Sequence, residues 1–361
     1  MSTRMQVAAV ATVGLAVWFA VIIADHDWNP STLVAAGEDD GTVATYIADR
    51  LGPGFEFQAG WGHDGKHAFI QAHDPWLVHT EAHAAFLDAP VYRSQRVLVP
   101  AVLSVGTLFG EWGVVWAFPV MMVVVAALGV WATTGLVELG GRTGWWGLLF
   151  LANPGMFYSY RRGTVDVAAV ALLLLGVYLA QQRRYRPAAA ALAIAVLTKE
   201  VMVLGAIGLV FHRRRDGRAV LPLLVWPVTA GVVWAAYVRW RLDGPFLDAG
   251  AEVITAPLAG VLGAIGSRPI PDAVVAATVM VVAGGALLMA WRRPSPVIAA
   301  AIGFALLLPL LPVAVLGGYV DAWRATAPVI ALLIPALLTV GRSRATAAGR
   351  ASVRETELVA A

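Results

Sequence analysis

Apolar blocks recur along most of the chain. They fall at 6–24, 97–110, 113–137, 145–160, 164–180, 187–198, 200–211, 219–239, 273–291, 296–314 and 322–340, with charged residues clustered in the turns between them. This pattern predicts membrane-crossing α-helices, because a helix satisfies its own backbone hydrogen bonds in hydrocarbon. One long polar stretch interrupts it. Trp61 to Pro100 reads WGHDGKHAFIQAHDPWLVHTEAHAAFLDAPVYRSQRVLVP and holds five of the seven histidines. It follows the first apolar block, so that block decides which side of a membrane receives it.

Basic residues orient the blocks. Arg4 precedes the first, and clusters follow at Arg183, Arg184 and Arg186, at Arg213, Arg214, Arg215 and Arg218, at Arg292 and Arg293, and at Arg342, Arg344 and Arg350. The bias of Lys and Arg toward the cytoplasmic side puts all of these inside. Between two cytoplasmic clusters the chain must cross an even number of times. The run 187–211 therefore makes two short spans, hinged on the outer side at Thr198-Lys199-Glu200. Spans of about 12 residues fall short of the ~20 that a hydrocarbon core requires, so they fit only inside a bundle. The same parity demotes 97–110, which opens on Arg96 and Pro100, to a juxtamembrane helix dipping into the outer face.

The expected fold is all-α: a polytopic membrane helical bundle of about ten transmembrane helices with both termini cytoplasmic. It forms one membrane-embedded domain over 1–341, with a large first outer loop at 25–112, a second at 240–272 and a disordered cytoplasmic tail at 342–361. The first block reads as an uncleaved signal-anchor, since no A-x-A site follows it before Asp25.

Composition agrees. The chain is 59% hydrophobic and 14% charged, where a soluble domain carries about 25% charged residues. The absence of cysteine excludes disulfides, thiolate metal sites and thiol nucleophiles. The net charge of +3 follows from basic turns between helices and gives no reason to expect a nucleic-acid partner.

Some charges oppose the inside-positive bias. Arg93, Arg96, Arg161, Arg162, Arg239, Arg241, Arg268 and Arg324 fall at the outer face, and Asp166, Lys199 and Glu200 fall at outer helix ends. Charges at membrane depth line cavities or pair with one another. Converging arginines suit an anionic ligand, since guanidinium binds phosphate bidentately. The plainer reading is that they snorkel or pair with loop acids.

Several constellations carry possible chemistry. Asp64 lies in Gly62-His63-Asp64-Gly65, a turn that presents its carboxylate as a general base or is simply an Asp-Gly turn. Asp39 and Asp40, after Glu38, could act as a base, bind a divalent metal, or cap a helix beginning near Gly41. His63 with His67 and His79 with His83 are spaced i,i+4, as zinc ligands on a helix would be, with Asp64, Asp74 or Glu81 as further donors; otherwise they are surface histidines. Arg93 and Arg96 are three apart, beside Asp88 and Tyr92, and could hold one phosphate at the membrane surface. Asn153-Pro154-Gly155 breaks a span near its middle, and Arg161, Arg162 and Asp166 follow. Lys199 either neutralises Glu200 or reaches the same anion.

These motifs resemble those of GT-C-type integral membrane glycosyltransferases, and more narrowly a group of bacterial membrane proteins. That group's first loop reads like G-Y-D-G-Q-F-Y-Y…D-P…L-D-x-P-x-Y-R-x-Q-R-x-L-x-P, with L-T-[KR]-E later. The corresponding residues are Gly62-His63-Asp64-Gly65-Lys66-His67, Asp74-Pro75, the run Leu87 to Pro100, and Leu197-Thr198-Lys199-Glu200. The resemblance covers roughly residues 1–240. Here His63 stands where the group has an aromatic residue, Lys66 where it has Gln, and His67-Ala68 where it has an aromatic pair.

The resemblance implies an inverting glycosyltransferase at the outer face of the plasma membrane. A polyprenyl-phosphate sugar is the implied donor and an extracytoplasmic glycan or lipid the acceptor. Asp64 is the implied base, with Asp39 or Asp40 as runner-up. Arg93, Arg96 and Lys199, joined by Arg161 and Arg162, would hold the phosphate, supported by Asp88, Tyr92, Asp166 and Glu200. No cofactor is assigned, and a divalent metal stays open. Two alternatives remain: a transporter or flippase of an anionic lipid or solute, and a non-catalytic membrane assembly partner.

Overall fold

The computed structural model of the protein describes residues 1–243 and 254–339. The tail 342–361, with Arg342, Arg344 and Arg350, and part of the 240–272 loop lie outside the described residues. The described residues contain no β-strand. Two isolated bridges, Ala36 with Gly62 and Gly37 with Gln58, tie polar segments together.

The chain opens with α1 (Thr3–Ala24). A polar layer follows with α2 (Gly41–Leu51), α3 (Gly65–Ala72), α4 (Thr80–His83) and α5 (Pro90–Ser94). Next comes α6 (Leu98–Leu103), continued by a 3₁₀ turn over Ser104–Phe109, and then the long α7 (Glu111–Leu139). Beyond it lie α8 (Pro154–Arg161), α9 (Asp166–Gln181), α10 (Tyr185–Thr198), α11 (Val203–Arg213) and α12 (Pro222–Leu242). The chain continues with α13 (Ala259–Ser267), α14 (Ile270–Arg292), α15 (Pro296–Leu307), α16 (Val313–Leu316) and α17 (Tyr319–Thr339). Five of these, α1, α7, α12, α14 and α17, are long and apolar enough to cross a membrane. That is the pattern of a helical membrane protein.

The first helix shows how the bundle is built. Val7, Ala11, Leu15, Phe19 and Ile23 are buried. They recur at i,i+4 and so form one face. The opposite face exposes Val10, Val13, Val17 and Val21. A helix apolar on both faces with only one of them covered suits lipid contact on the other. By contrast α9 is buried almost all round and occupies the centre. Between helices in lipid, close approach of small residues replaces the hydrophobic drive. At Gly208 of α11 a Cβ would come within 2.0 Å of the Ala299 carbonyl oxygen on α15. One continuous core runs through the bundle, from Val7 to Ala336.

Side-chain contacts sort the helix ends into two groups. At one end Arg4 meets Glu138 and Tyr178, and Arg142 donates to the Leu338 carbonyl. Tyr185, opening α10, donates to Asp216 just beyond α11. The start of α10 and the finish of α11 are therefore neighbours, and the chain reverses at 199–202. This agrees with two short helices hinged at Lys199. The other end carries the polar layer, the α8–α9 turn, the Lys199 hinge and the start of α17.

The segment 97–110 returns to the end of the bundle from which it starts. Its start follows Arg96, which binds Glu200, and its finish leads into Glu111, which binds Arg50 and His73. Both ends lie at the polar end of the bundle. Between them the chain folds back on α7, with Gly106 and Gly113 in backbone contact.

The break at Asn153 has a clear local cause. Its side chain accepts from the Gly155 amide at 3.1 Å, capping α8, and donates to the Ala327 carbonyl at 2.9 Å. The block 145–160 is thus a 3₁₀ segment, Gly144–Phe150, joined to a short helix.

Gly62 governs the presentation of Asp64. Its φ is +70°, and a Cβ there would fall 2.4 Å from both the Ala35 oxygen and the Gly37 nitrogen. Gly60 has φ +80° but nothing within 4 Å. Replacing Gly60 by alanine is expected to cost about 1 kcal/mol from backbone strain alone. Gly62→Ala adds a backbone clash and is expected to cost roughly 2–4 kcal/mol. Thermal unfolding in detergent compares the two, and equal losses would remove the crossing at Ala36 as the reason for Gly62.

Candidate functional site

Asp64 sits at the N-cap position of α3 without capping it. Its carboxylate turns toward the bundle. Oδ1 accepts from Arg93 Nη1 at 2.8 Å, and Oδ2 accepts from Arg324 Nη2 at 2.6 Å. Each arginine continues the chain of charges. Arg93 makes a two-pronged contact with Asp88, 2.9 Å at each prong. Arg324 donates through Nε to Asp166 at 2.8 Å and through Nη1 to Asp321 at 3.0 Å. Lys199 closes the chain on Asp166 at 2.5 Å.

The result is one row of alternating charge: Asp88, Arg93, Asp64, Arg324, Asp166 and Lys199. Five elements converge to make it. The Gly62 turn supplies Asp64, α5 supplies Arg93, α9 supplies Asp166, the α10–α11 hinge supplies Lys199, and the second turn of α17 supplies Arg324. Asp166 is 2% exposed, and its Oδ2 also accepts from Thr164 at 2.8 Å. A buried carboxylate is stable only when so many donors replace its water.

Burial pushes the Asp64 carboxyl up, but the guanidiniums of Arg324 and Arg93 outweigh it. They hold Asp64 well below the usual carboxylate range. As it stands, Asp64 is an ionised and well-satisfied anion, which makes it a weak proton acceptor. Asp88 is also held low, with Arg93 and His67 overcoming its burial.

Arg96 lies beside this row. It donates to Glu200 at 3.0 and 3.2 Å and to the Tyr92 hydroxyl. Arg93, Arg96 and Lys199 thus lie at the same end of the bundle, and each holds a carboxylate. Lys199 does not neutralise Glu200; the two face different partners. Arg161 is exposed. Arg162 meets the ring of His63.

Other expectations are corrected. Asp40 stands at the N-cap position of α2, yet its side chain pairs with Lys66 instead of capping. Asp39 is exposed on the surface. Neither adjoins Arg93 or Arg324, so neither joins the Asp64 site. The histidine pairs do not converge on a metal. Among the described residues no group of three or more His, Asp or Glu could hold one. The i,i+4 rule needs both partners on one helix. His63 precedes α3, and His79 precedes the four-residue α4. His67 lies 3.5 Å from Asp88, and His83 meets Tyr46 at 2.7 Å.

The sequence marks Arg324 as a cation at the outer end but does not place it beside Asp64. Its position three residues after Asp321, at the start of an apolar helix, was the available signal. A second polar group also went unread. His73 bridges the Phe69 carbonyl and Glu111, at 2.9 and 2.6 Å, and Arg50 reaches the same carboxylate at 2.9 Å. These contacts seat the polar layer on the start of α7.

An apolar groove of about 750 Å³ lies between α7 and the folded-back segment 98–109. Its lining includes Leu98 and Ala168, each two residues beyond Arg96 and Asp166 along the chain, and extends on α7 as far as Leu128. From Trp112 to Leu128 a helix advances about 24 Å.

His63 gives a pH prediction. Burial first, then Arg162 and Arg324, lowers its pKa to about 4. The unfolded chain, with an ordinary histidine pKa of about 6.5, then binds the proton more readily than the folded protein. His63 therefore contributes stability above pH 6.5 that is lost as pH falls toward about 4. His63→Tyr is expected to flatten that part of the thermal-stability profile. A wild-type His63 resonance titrating near 6.5 by NMR would sink the prediction.

Compared with protein-family models, curated proteins and solved structures, the chain matches none.

Proposed function

We propose that the protein is a membrane glycosyltransferase of the GT-C type that takes its sugar from a polyprenyl-phosphate donor. The observation that carries this reading is a carboxylate among arginines and a lysine at the polar end of a bundle that also carries a long apolar groove. A lipid-phosphate sugar has the same division, with a long chain joined to an anion. Its chain lies along α7, and its phosphate meets Arg93, Arg96 and Lys199, with Arg324 now added. In this reading the chain crosses the plasma membrane about ten times, its termini are cytoplasmic and its polar layer is outside.

The reaction follows from the chemistry of the donor. Asp64 takes the proton of an acceptor hydroxyl on a glycan or lipid. The acceptor oxygen attacks the anomeric carbon from the face opposite the phosphate, inverting the configuration. The bond from that carbon to the phosphate oxygen breaks, and its electron pair leaves with the lipid phosphate. Cationic side chains fixed beforehand stabilise that charge.

A transport reading draws on a different observation. Asp166, Lys199 and Arg324 form a charge cluster among apolar helices, as ion-coupled carriers do. Radiolabelled polyprenyl-phosphate sugars supplied to membranes containing the protein separate the two. Label transferred into glycan or lipid supports the enzyme. Label that only changes leaflet, with the sugar still on its lipid, supports the carrier.

A further inference from the structure

We infer that Asp64 is the resident anion of the phosphate site: its carboxylate occupies the Arg93 and Arg324 guanidiniums until a phosphate group takes its place, and that exchange frees it to accept a proton. The inference rests on the glycosyltransferase reading for the identity of the lipid, and on the geometry for the exchange.

Three observations carry it. The two arginines are anchored without Asp64. Arg93 keeps its two-pronged contact with Asp88, and Arg324 keeps Asp166 and Asp321. Both guanidiniums therefore stay in place when Asp64 leaves. Asp64 also has room to leave. It sits in a turn between Gly62 and Gly65, and its side chain is 27% exposed, against 2% for Asp166. Finally, its two oxygens take one N–H from each arginine, at 2.8 and 2.6 Å. Two oxygens of a single phosphate can satisfy the same pair of donors, and even the phosphodiester of a lipid-phosphate sugar carries one full negative charge, equal to that of the carboxylate it replaces.

The exchange accounts for an otherwise awkward base. While clamped by two guanidiniums, Asp64 holds protons poorly. Once a phosphate takes its place on those guanidiniums, the proton affinity of Asp64 rises toward that of an ordinary carboxylate. The base is then competent only when the donor is bound. Charge stays balanced: the phosphate replaces the carboxylate on the arginines, and Asp64 becomes neutral on taking the acceptor's proton. Arg162 stands ready beside this exchange, since it meets the neutral His63 ring in place of a carboxylate.

The test measures binding of undecaprenyl phosphate to the full-length protein in nanodiscs, with inorganic phosphate and undecaprenol as separate probes. Asp64→Asn keeps the shape and removes the competing charge. Breaking two charge-assisted hydrogen bonds is a cost that wild type meets and the variant avoids. Asp64→Asn is expected to bind undecaprenyl phosphate about tenfold tighter or better. Asp49→Asn, an exposed acid on α2, is expected to leave binding unchanged, which excludes a simple effect of net charge. Adding Arg93→Gln to Asp64→Asn is expected to cancel the gain. Inorganic phosphate showing the same gain would make the site one for phosphate in general, and a gain confined to the lipid would make it one for the headgroup. Equal or weaker binding by Asp64→Asn, with the variant folded, overturns the inference. Sugar transfer by wild type in the same nanodiscs separates the two claims. Transfer without tightening leaves the enzyme and removes the exchange, and tightening without transfer leaves the exchange and removes the enzyme.

Discussion

Arg324→Ala is expected to destabilise the protein by about 3–5 kcal/mol, the usual loss when one partner of a buried ion pair is removed. Arg324 is 8% exposed and touches three carboxylates, those of Asp64, Asp166 and Asp321. Its loss leaves Asp166 with one cation, Lys199, beside the Thr164 hydroxyl, and leaves Asp64 with one cation, Arg93. The penalty comes from the stranded charge more than from any single contact. A total stability of about 5–15 kcal/mol is typical of folded domains, so the loss takes a large share of it. Asp166→Ala is expected to cost a similar amount, since it strands Arg324 and Lys199. Asp321→Asn should cost less than about 1 kcal/mol, because that carboxylate is 48% exposed. Thermal unfolding of the purified variants in detergent reads all three. The double variant Arg324→Ala with Asp166→Ala closes the cycle. Its loss should fall short of the sum by about 1–3 kcal/mol, as residues in one network do. Strict additivity would mean that the two groups do not hold each other.

The parts of this fold that could be read from sequence are those with a local physical cause. A helix that must bury its backbone in hydrocarbon writes its length into the chain, so α1, α7, α12, α14 and α17 are visible as apolar blocks. The reversal at Lys199 was also legible, because the run 187–211 has basic turns on either side. The Tyr185 contact with Asp216 bears that out. The cap at Asn153 and the turn at Gly62 are short-range signals of the same kind. Partner choice has no such signal. Asp64 and Arg324 are 260 positions apart, and no periodicity links them. The sequence therefore gathered the cations Arg93, Arg96 and Lys199 correctly, yet could not show that Asp88, Glu200 and Asp166 already hold them. The histidine pairs failed for a related reason. Spacing of i,i+4 is informative only within a helix, and His63 and His79 both stand just outside one.

Asp64→Asn is expected to lower sugar transfer from a polyprenyl-phosphate donor by about 10²–10⁴-fold, the range for loss of a positioned general base. The variant should still fold, since Arg93 and Arg324 each keep another carboxylate and asparagine can still accept one hydrogen bond. The two kinetic constants should move together in an unusual direction. Without the proton acceptor kcat falls, and without the competing anion the donor binds more readily, so KM falls too. An ordinary loss of substrate contacts would raise KM instead. Asp166→Asn is the informative companion: it weakens the anchoring of Arg324 and Lys199, so it should lower kcat and raise donor KM. Measured transfer in membranes, with insertion checked for each variant, gives both constants. If Asp64→Asn turns over at the wild-type rate, Asp64 is only the tenant of its arginines. The proton must then go to another carboxylate at the polar end. Asp321 would be the first to examine, since it shares Arg324 and is the more exposed of the two.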